Sequence, residues 1–347
     1  MFFYKYISIK YKTIFRTKTT VLFLFFLTFL FFSGCASGVS NEQMKSVTGF
    51  YFDTVVTIQA VASDKTLTDA LEKCRYYEEL LSRTVEGSDV WNINHAGGES
   101  VKVSSETMEV LRFARTMAEE TNGAFDITVA PAADAWDFNA DSPSVPDEAV
   151  LKEAVSKIGY KHLQLDEASL LVTLDAGSSI DLGGIAKGFI ADKVGEYLEE
   201  RGVKSGILNF GGNVLLIGKK QDGTPWRVGV QDPEKLTGEY IGVISYDGSA
   251  SVVTSGTYER GFVQDGVRYH HILDPKTGYP VQNTLAGVTI LTESSMVADA
   301  YSTACFVLGP EAGLYFAEQN PEVEVVFVFE TGETVLTEGM QGLYATK

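Results

Sequence analysis

Short segments of alternating apolar residues and longer segments of helical spacing follow one another along this chain without a regular order. Residues 50–60 (FYFDTVVTIQA) alternate and are rich in β-branched side chains, which predicts a strand. Residues 64–81 have helical spacing and a polar face of Asp, Glu and Lys, which predicts an amphipathic helix. Strands and helices mixed in this way, without βα alternation, favour the α+β class.

The other predicted elements continue the same mixture, and we find no internal repeat, low-complexity tract or long linker. Further helices are expected at residues 105–122, 148–158 and 183–201 and from residue 296, and further strands at residues 163–174, 206–219, 226–253, 323–329 and 333–337. About 310 residues would remain after removal of an N-terminal signal. A chain of that size can bury a substantial core, which can be divided into two lobes.

Residues 1–34 have the layout of a signal peptide. The first twenty residues carry five basic residues and no acidic one, and residues 21–32 are mostly Phe and Leu. This apolar run is shorter than the roughly 20 residues that span a bilayer, and it ends in FSGC at Cys35. Small residues before a cysteine resemble a lipobox, so we expect Cys35 to be lipidated. The alternative is an uncleaved anchor, and both place the domain outside the cytoplasm at a membrane.

These features divide the chain into four predicted segments. They are a lipoprotein signal peptide at residues 1–34, a flexible tether at 35–47, a folded domain at 48–340 and a C-terminal tail at 341–347. Cys74 and Cys305 lie in helix-like segments of the folded domain. Export permits a disulfide between them without requiring one, and we expect two buried thiols.

Acidic residues dominate the composition. The whole chain has 28 Lys and Arg against 46 Asp and Glu, for a formal net charge of −18, and five of the basic residues lie in the predicted signal peptide. Binding to nucleic acid depends on Lys and Arg that neutralise phosphates, so nucleic acid is not an expected partner. We interpret the excess of acid as a solvated exterior.

Asp299 and Thr303 lie four residues apart in the predicted helix that begins at residue 296, so they share one face of it. A carboxylate and a hydroxyl on the edge of a cleft suit Mg²⁺, which usually takes one or two carboxylates together with substrate phosphates. The plainer alternative is a capping Asp and a core-facing hydroxyl. The pattern therefore indicates phosphate chemistry only together with other motifs.

Five other segments carry polar residues beside glycines. They are GAFDITVAP from residue 123, IDLGGIAKG from 180, NFGGN from 209, TSGTY from 254 and HHILDPKTG from 270. The second leads into a helix, whose free N–H groups and dipole favour a phosphate group. Each has a structural alternative, such as a helix stop, a hairpin turn or a strand end. The pair His270 and His271 could indicate zinc, but no further Cys or His at ligand spacing supports this.

In this order the motifs resemble those of the ApbE family, the FAD:protein FMN transferases, across roughly residues 48–340. The resemblance implies a two-lobed α+β fold with mixed or antiparallel sheets flanked by helices, and FAD bound in the cleft. It implies an enzyme that splits the FAD diphosphate, releases AMP and attaches FMN through its phosphate to a Thr or Ser of a partner protein.

The resemblance also implies roles for individual residues. The residues expected to contact FAD are Ala124, Phe125, Asp126, Asp181, Lys187 and Leu273. Those expected to hold Mg²⁺ are Gly184, through its backbone carbonyl, Asp299 and Thr303. We expect His271 to be the base that activates the attacking hydroxyl, and Asp274 to orient it.

Two positions depart from the pattern of many family members. Phe52 stands where Met is common, and Thr84 stands where Tyr is common. Both positions touch the flavin in relatives, so the resemblance implies that Phe52 and Thr84 also lie at the flavin end of the FAD site. Phe52 can replace Met as an apolar platform, whereas Thr84 cannot replace the stacking ring of Tyr.

The resemblance implies exported flavoproteins as acceptors, bearing a Ser/Thr-containing flavinylation motif, and a lipid anchor would hold the enzyme near them. One alternative is an FAD pyrophosphatase that yields FMN and AMP because water takes the place of the acceptor hydroxyl. Another is a lipid-anchored protein that binds FAD without turnover. A metal beside the phosphates favours the enzymes over the binding protein.

Overall fold

The computed structural model describes residues 43–233, 235 and 238–347. The predicted signal peptide and the lipidation site Cys35 lie outside the described residues. Residues 44–347 form one compact unit, so any two lobes within it share a continuous sheet. Within the described part of the chain, no helix is long and apolar enough to cross a membrane.

An eight-stranded antiparallel sheet is the centre of the fold, with the strand order β1-β2-β6-β7-β10-β13-β14-β15. Its strands are β1 (Lys45–Tyr51), β2 (Thr54–Ala60), β6 (Ser205–Phe210), β7 (Asn213–Gly218), β10 (Ala250–Gly256), β13 (Leu285–Thr292), β14 (Glu324–Phe329) and β15 (Thr334–Leu336). Every residue of β13 is buried because both faces of the sheet are covered at this strand.

Three smaller antiparallel sheets accompany the large one, in the orders β3-β5-β4, β16-β9-β8 and β11-β12. Their strands are β3 (Val101–Lys102), β4 (Leu163–Asp166), β5 (Leu171–Leu174), β8 (Trp226–Gln231), β9 (Tyr240–Tyr246), β11 (Gly261–Gln264), β12 (Val267–His270) and β16 (Tyr344–Thr346). The hairpin β11–β12 stacks Phe262 and Tyr269 against Trp136.

The described helices connect these strands. They are α1 (Asp64–Leu81), α2 (Asp89–His95), α3 (Ser105–Glu120), α4 (Ala130–Trp136), α5 (Glu148–Val155), α6 (Ala186–Glu200), α7 (Ser295–Leu308) and α8 (Pro310–Glu318). The N-termini of α1, α2, α3 and α7 are each capped by a serine whose side chain accepts a backbone N–H of the first turn.

Alternation along the central strands divides the core into two layers. On β14, Val325 and Phe327 face the main core with the helices, whereas Val326 and Val328 face a second cluster with β8, β9 and β16. Successive side chains of a strand point to opposite faces, so one strand serves both layers. The α+β class with antiparallel sheets and flanking helices is therefore confirmed.

The buried thiols are also as predicted. Among the described residues Cys74 and Cys305 are buried and form no disulfide, and burial raises the pKa of each thiol to about 12. Both cysteines therefore act as small core residues and are protonated at neutral pH.

Three predictions need correction. The single strand expected at residues 50–60 is a hairpin that turns at Phe52 and Asp53, both with positive φ. Apolar and polar residues continue to alternate through this two-residue turn, and the turn lacks the usual Gly, so no sequence signal marks the end of the first strand. The predicted tether ended too late, because β1 begins at Lys45, and the predicted tail contains β16, which pairs with β9.

Helices α6 and α7 approach each other closely at Gly188. A Cβ at this position would lie 2.2 Å from the carbonyl oxygen of Ser295 and 2.8 Å from Cβ of Asp299. Only a residue without a side chain fits, because the nearest atom belongs to the backbone of α7 and cannot rotate away.

We expect Gly188→Ala to lower the free energy of unfolding by about 2 kcal/mol or more, since the two helices must separate. Gly195→Ala on the same helix is the control. Its Cβ would meet only a methyl group of Leu215, which can move. We expect a change below about 1 kcal/mol there, because Ala is the better helix former. Urea unfolding of both variants checks this, and equal effects would contradict the close-contact explanation.

Candidate active site

Asp299 and Thr303 lie on α7, one turn apart, as the sequence predicted. Asp299 is only 2% exposed, which corrects the expectation of a carboxylate on the edge of a cleft. Its Oδ2 accepts the backbone N–H of Gly188 at 3.0 Å, and its Oδ1 lies 3.6 Å from Nζ of Lys187. Asp299 therefore binds the first turn of α6, where the helix dipole favours a negative charge.

Gly184 and Thr303 are neighbours across the same site. A Cβ on Gly184 would lie 3.3 Å from Oγ1 of Thr303 and 3.4 Å from the ring of Phe125. Oγ1 of Thr303 is also 3.3 Å from Oγ of Ser255, which lies at the end of β10. The structure thus brings together residues that are far apart in sequence and that present oxygen atoms.

The three predicted metal ligands fit Mg²⁺ by their chemistry. Asp299 supplies a carboxylate, Thr303 a hydroxyl and Gly184 a main-chain carbonyl, and these are the hard donors that Mg²⁺ prefers. No group of three or more His, Cys, Asp or Glu that could hold a metal ion is found among the described residues. A site with one carboxylate leaves coordination positions for phosphate oxygens and water.

The segment before α6 positions two charged residues. Oδ1 of Asp181 accepts the N–H of Gly183 at 2.6 Å, and Nζ of Lys187 donates to the carbonyl of Gly183 at 3.1 Å. The predicted helix start at residue 183 is three residues early, because α6 begins at Ala186. Residues 181–185 instead form the turn that carries Asp181 and Gly184 to the site.

Arg83 is a residue that the sequence analysis missed. Its guanidinium donates to Oδ2 of Asp181 at 2.9 Å and also pairs with Asp134. The neighbouring Thr84, predicted to contact flavin, is exposed and its hydroxyl lies 3.0 Å from Oγ of Ser82. No local pattern links Arg83 to Asp181, since 98 residues separate them.

Asp126 is buried and held by protein donors. Its Oδ1 accepts the N–H and the hydroxyl of Thr128, and its Oδ2 accepts the N–H of Tyr160 at 2.7 Å. Burial raises the pKa of Asp126, against these hydrogen bonds, which lower it. The carbonyl of the next residue, Ile127, accepts the N–H of Asp181. The carboxylate of Asp126 therefore stabilises the segment that contacts the turn at Asp181. A direct contact between Asp126 and flavin stays a prediction.

The apolar residues predicted to contact the nucleotide occupy separate places. Ala124 and Phe125 are buried, and the ring of Phe125 lies against Gly184. Leu273 is buried in a small cluster with Trp136 and Leu151. Phe52 is at the β1–β2 turn, half-buried against the main core, with its N–H donated to Glu78.

The two neighbouring histidines have different environments. Both ring nitrogens of His270 are engaged with the backbone, Nε2 with the carbonyl of Val281 at 3.0 Å and Nδ1 with the N–H of Ile272. This leaves His270 no nitrogen for a metal, which argues against the zinc alternative. His271 is partly buried, and Nδ1 lies 3.4 Å from the carbonyl of Arg260.

Asp274 does not orient His271, contrary to the prediction. Its oxygens accept the N–H of Lys276 and the hydroxyl of Thr277, so it stabilises its own turn. The carboxylate that faces His271 is Glu259, whose Oε2 is 3.9 Å from Nε2. Burial, followed by the nearby Arg260, lowers the pKa of His271 to about 4. The ring is therefore neutral near pH 7.

Comparison with known proteins identifies the family. The model of the ApbE family matches residues 52–327, which is most of the chain and includes every residue of the site. The chain belongs to the ApbE family. A curated relative from Klebsiella pneumoniae (strain 342), named FAD:protein FMN transferase, is 33% identical over 302 residues, or 86% of this chain and 93% of the relative. A Treponema pallidum protein of the same name is 36% identical over 267 residues, or 73% and 74%.

Solved structures of the ApbE family share the fold. The ApbE protein of Thermotoga maritima superimposes with a TM-score of 0.80 at 35% identity, covering 87% of this chain and 99% of that chain. The flavin transferase ApbE of Vibrio cholerae gives a TM-score of 0.77 at 28% identity, with the same coverage. The predicted family and the prediction of a flavinyltransferase enzyme are confirmed. The roles of single residues stay predictions.

We expect Arg83→Met to lower the free energy of unfolding by about 1–3 kcal/mol, because it leaves Asp181 and Asp134 without their shared cation. Arg115→Met is the control, since Arg115 makes a single ion pair with Glu167 at 3.4 Å. A surface pair of this kind contributes less than about 1 kcal/mol. Urea unfolding measures both, and an equally small effect of the two changes would contradict the structural role given to Arg83.

Proposed function

We propose that this ApbE family enzyme transfers FMN from FAD to the hydroxyl of a Thr or Ser in an acceptor flavoprotein, with release of AMP and with Mg²⁺ as cofactor. The observation that carries the proposal is the group of residues Asp299, Thr303, Gly184 and Lys187, in which Nζ of Lys187 is 3.6 Å from Oδ1 of Asp299 and Gly184 lies against the hydroxyl of Thr303. This group lies at the start of α6 in a chain whose relatives are named FAD:protein FMN transferases.

The positive groups of the site are suited to a diphosphate. The N-terminus of α6 has no side-chain cap from its own N-cap residue, Ile185, and Lys187 in its first turn adds a positive charge. Helix N-termini and Lys favour phosphate groups. Mg²⁺ bound by Asp299, Thr303 and the Gly184 carbonyl would neutralise charge that develops on the diphosphate oxygens.

The ring of His271 is in a state that can accept a proton. The carbonyl of Arg260 can only accept a hydrogen bond, so Nδ1 of His271 carries the ring proton and Nε2 has the free electron pair. Because the low pKa keeps the ring neutral near pH 7, Nε2 is free to take the proton of the acceptor hydroxyl. Asp181, held by Arg83, and Lys187 would orient FAD for this attack.

Two alternatives use the same site. Water in place of the acceptor hydroxyl would give FMN and AMP, and a protein that binds FAD without turnover would release neither. The oxygen donors beside Lys187 favour the enzymes, since binding alone does not require a metal at the diphosphate. The names of the relatives favour the transferase over the hydrolase.

Asp299→Asn tests the proposal. The amide oxygen can still accept the Gly188 N–H, so the fold should persist, whereas the charged metal ligand is lost. With FAD, Mg²⁺ and an acceptor carrying a Ser/Thr flavinylation motif, we expect the wild type to give a fluorescent acceptor band and AMP. We expect the variant to transfer FMN about 100-fold or more slowly, because it loses a major electrostatic contribution to the stability of the transition state.

The same assay separates the alternatives. Free FMN with an unlabelled acceptor would indicate hydrolysis, and bound FAD without AMP would indicate a binding protein. Metal-stripped enzyme should regain activity with Mg²⁺ and gain little from Zn²⁺, because the donors are oxygens. Full activity with stoichiometric Zn²⁺ but not with millimolar Mg²⁺ would contradict the ligand set.

The enzyme would act outside the cytoplasm, held to the cell membrane or outer membrane by lipid on Cys35. The supporting observations are the basic and apolar layout of residues 1–34 and the sequence FSGC. The folded domain begins with β1 at Lys45, which leaves about ten residues as a tether.

We expect Cys35→Ser to move the protein from the detergent phase to the aqueous phase or to leave it unprocessed. A single acyl chain gives marginal membrane binding, so stable anchoring requires the two or three chains of a lipoprotein cysteine. Detergent partitioning with mass spectrometry of the mature N-terminus checks this. An N-terminus other than a modified Cys35 in the wild type would contradict it.

A further inference from the structure

The carboxylate of Glu259 faces the ring of His271. Glu259 lies in the connection between β10 and β11, and its Oε2 is 3.9 Å from Nε2 of His271. The two side chains are 36% and 31% exposed, so the charge of Glu259 is only partly screened by water. The distance is too long for a hydrogen bond and short enough for an ion pair once the ring is charged.

The orientation of the ring decides which nitrogen meets this carboxylate. Nδ1 points to the carbonyl of Arg260 and carries the proton, so the nitrogen that faces Glu259 is the one with the free electron pair. A carboxylate and an unprotonated nitrogen repel each other weakly, because both present lone pairs. After the nitrogen gains a proton, the pair becomes an imidazolium beside a carboxylate, and the attraction is strong.

The other surroundings of His271 disfavour the charged form of its ring. These are its burial and the nearby Arg260, His270 and Lys187. Glu259 itself lies among Lys187, Arg260 and Asp299, and its burial raises its pKa. A base in such surroundings needs an opposing negative charge to hold the proton that it accepts.

We propose that Glu259 is a positioning residue for His271, whose carboxylate stabilises the imidazolium formed when Nε2 takes the proton of the acceptor hydroxyl. This inference rests on the proposed function. In that step the hydroxyl oxygen forms a bond to the phosphorus of the FMN portion. The bond between this phosphorus and the bridging oxygen breaks, and AMP leaves with the bridging oxygen and its electron pair. The proton stays on His271 until product release.

Glu259→Gln is the first test, since it keeps the shape and removes the charge. At about 4 Å and an intermediate dielectric constant, the attraction between two opposite charges is substantial, and partial exposure to water reduces it. We therefore expect about a tenfold fall in the single-turnover transfer rate. The affinity for FAD should change less than about threefold, because the effect is confined to the charged ring of the transition state. Glu259→Asp keeps the charge and should retain more activity than Gln.

A double-mutant cycle separates positioning from a structural role. In the background of His271→Ala, Glu259→Gln should cost little further rate, because no ring remains to be stabilised. Glu330→Gln, at an exposed position in a turn after β14, is the matched control and should leave the rate unchanged. An equal tenfold loss with and without His271 would overturn the proposal, and so would an unchanged rate in Glu259→Gln.

The pH dependence of transfer gives a readout that a purely structural role would not change. The pKa of His271 is lowered and that of Glu259 is raised, so the carboxylate gains its proton before the ring does as the pH falls. The wild-type transfer rate should therefore fall as Glu259 is protonated, and this fall should be lost in Glu259→Gln and kept in Glu330→Gln. A wild type that transfers no FMN would refute the proposed function. An active transferase whose pH profile is unchanged in Glu259→Gln would overturn the role of Glu259 alone.

Discussion

The contact between α6 and α7 at Gly188 is the constraint on which the site depends. It lets each helix cap the other. The carboxylate of Asp192 on α6 accepts the backbone N–H groups of Ser295 and Met296 at the start of α7, and Asp299 on α7 accepts the N–H of Gly188. A helix N-terminus leaves free donors, and here the partner helix satisfies them. Asp299 is thus fixed beside Lys187 by the same interaction that packs the helices.

This arrangement shows how a strongly acidic chain can form a site for a diphosphate. Asp181 is neutralised by Arg83, Asp126 is surrounded by protein donors, and Asp299 lies between a helix N-terminus and Lys187. Each of these carboxylates is therefore compensated locally. In the proposed function, Lys187 would be the positive group of this network that faces a substrate phosphate. The net charge of the protein does not prevent this, because interactions within the site act over a few ångströms.

The chemistry proposed for the site draws on two groups of elements. α6 and α7 supply the charged groups at the diphosphate, whereas the segments around β10, β11 and β12 supply Glu259 and His271. The hairpin β11–β12 is fixed by the stacking of Phe262 and Tyr269 on Trp136, so the base is carried by a packed element. Rigid support of this kind favours a constant distance between the base and the attacking hydroxyl.

The sequence by itself determined the family, the α+β class and most of the long elements. The helix Asp64–Leu81 has the predicted bounds, since its periodicity is strong and Ser63 caps it. The structure brings parts of its motifs together, since Gly184 lies against Phe125 and Thr303. The sequence analysis did not identify the hairpin turn at Phe52 or the buried strand β13. The alternation of apolar residues continues through the turn, and β13 has no alternation of apolar and polar residues. Only the tertiary structure decided that Asp299 caps α6, that Arg83 holds Asp181 and that Glu259 rather than Asp274 faces His271. These contacts join residues distant in sequence or depend on the direction of a side chain, and neither leaves a local pattern.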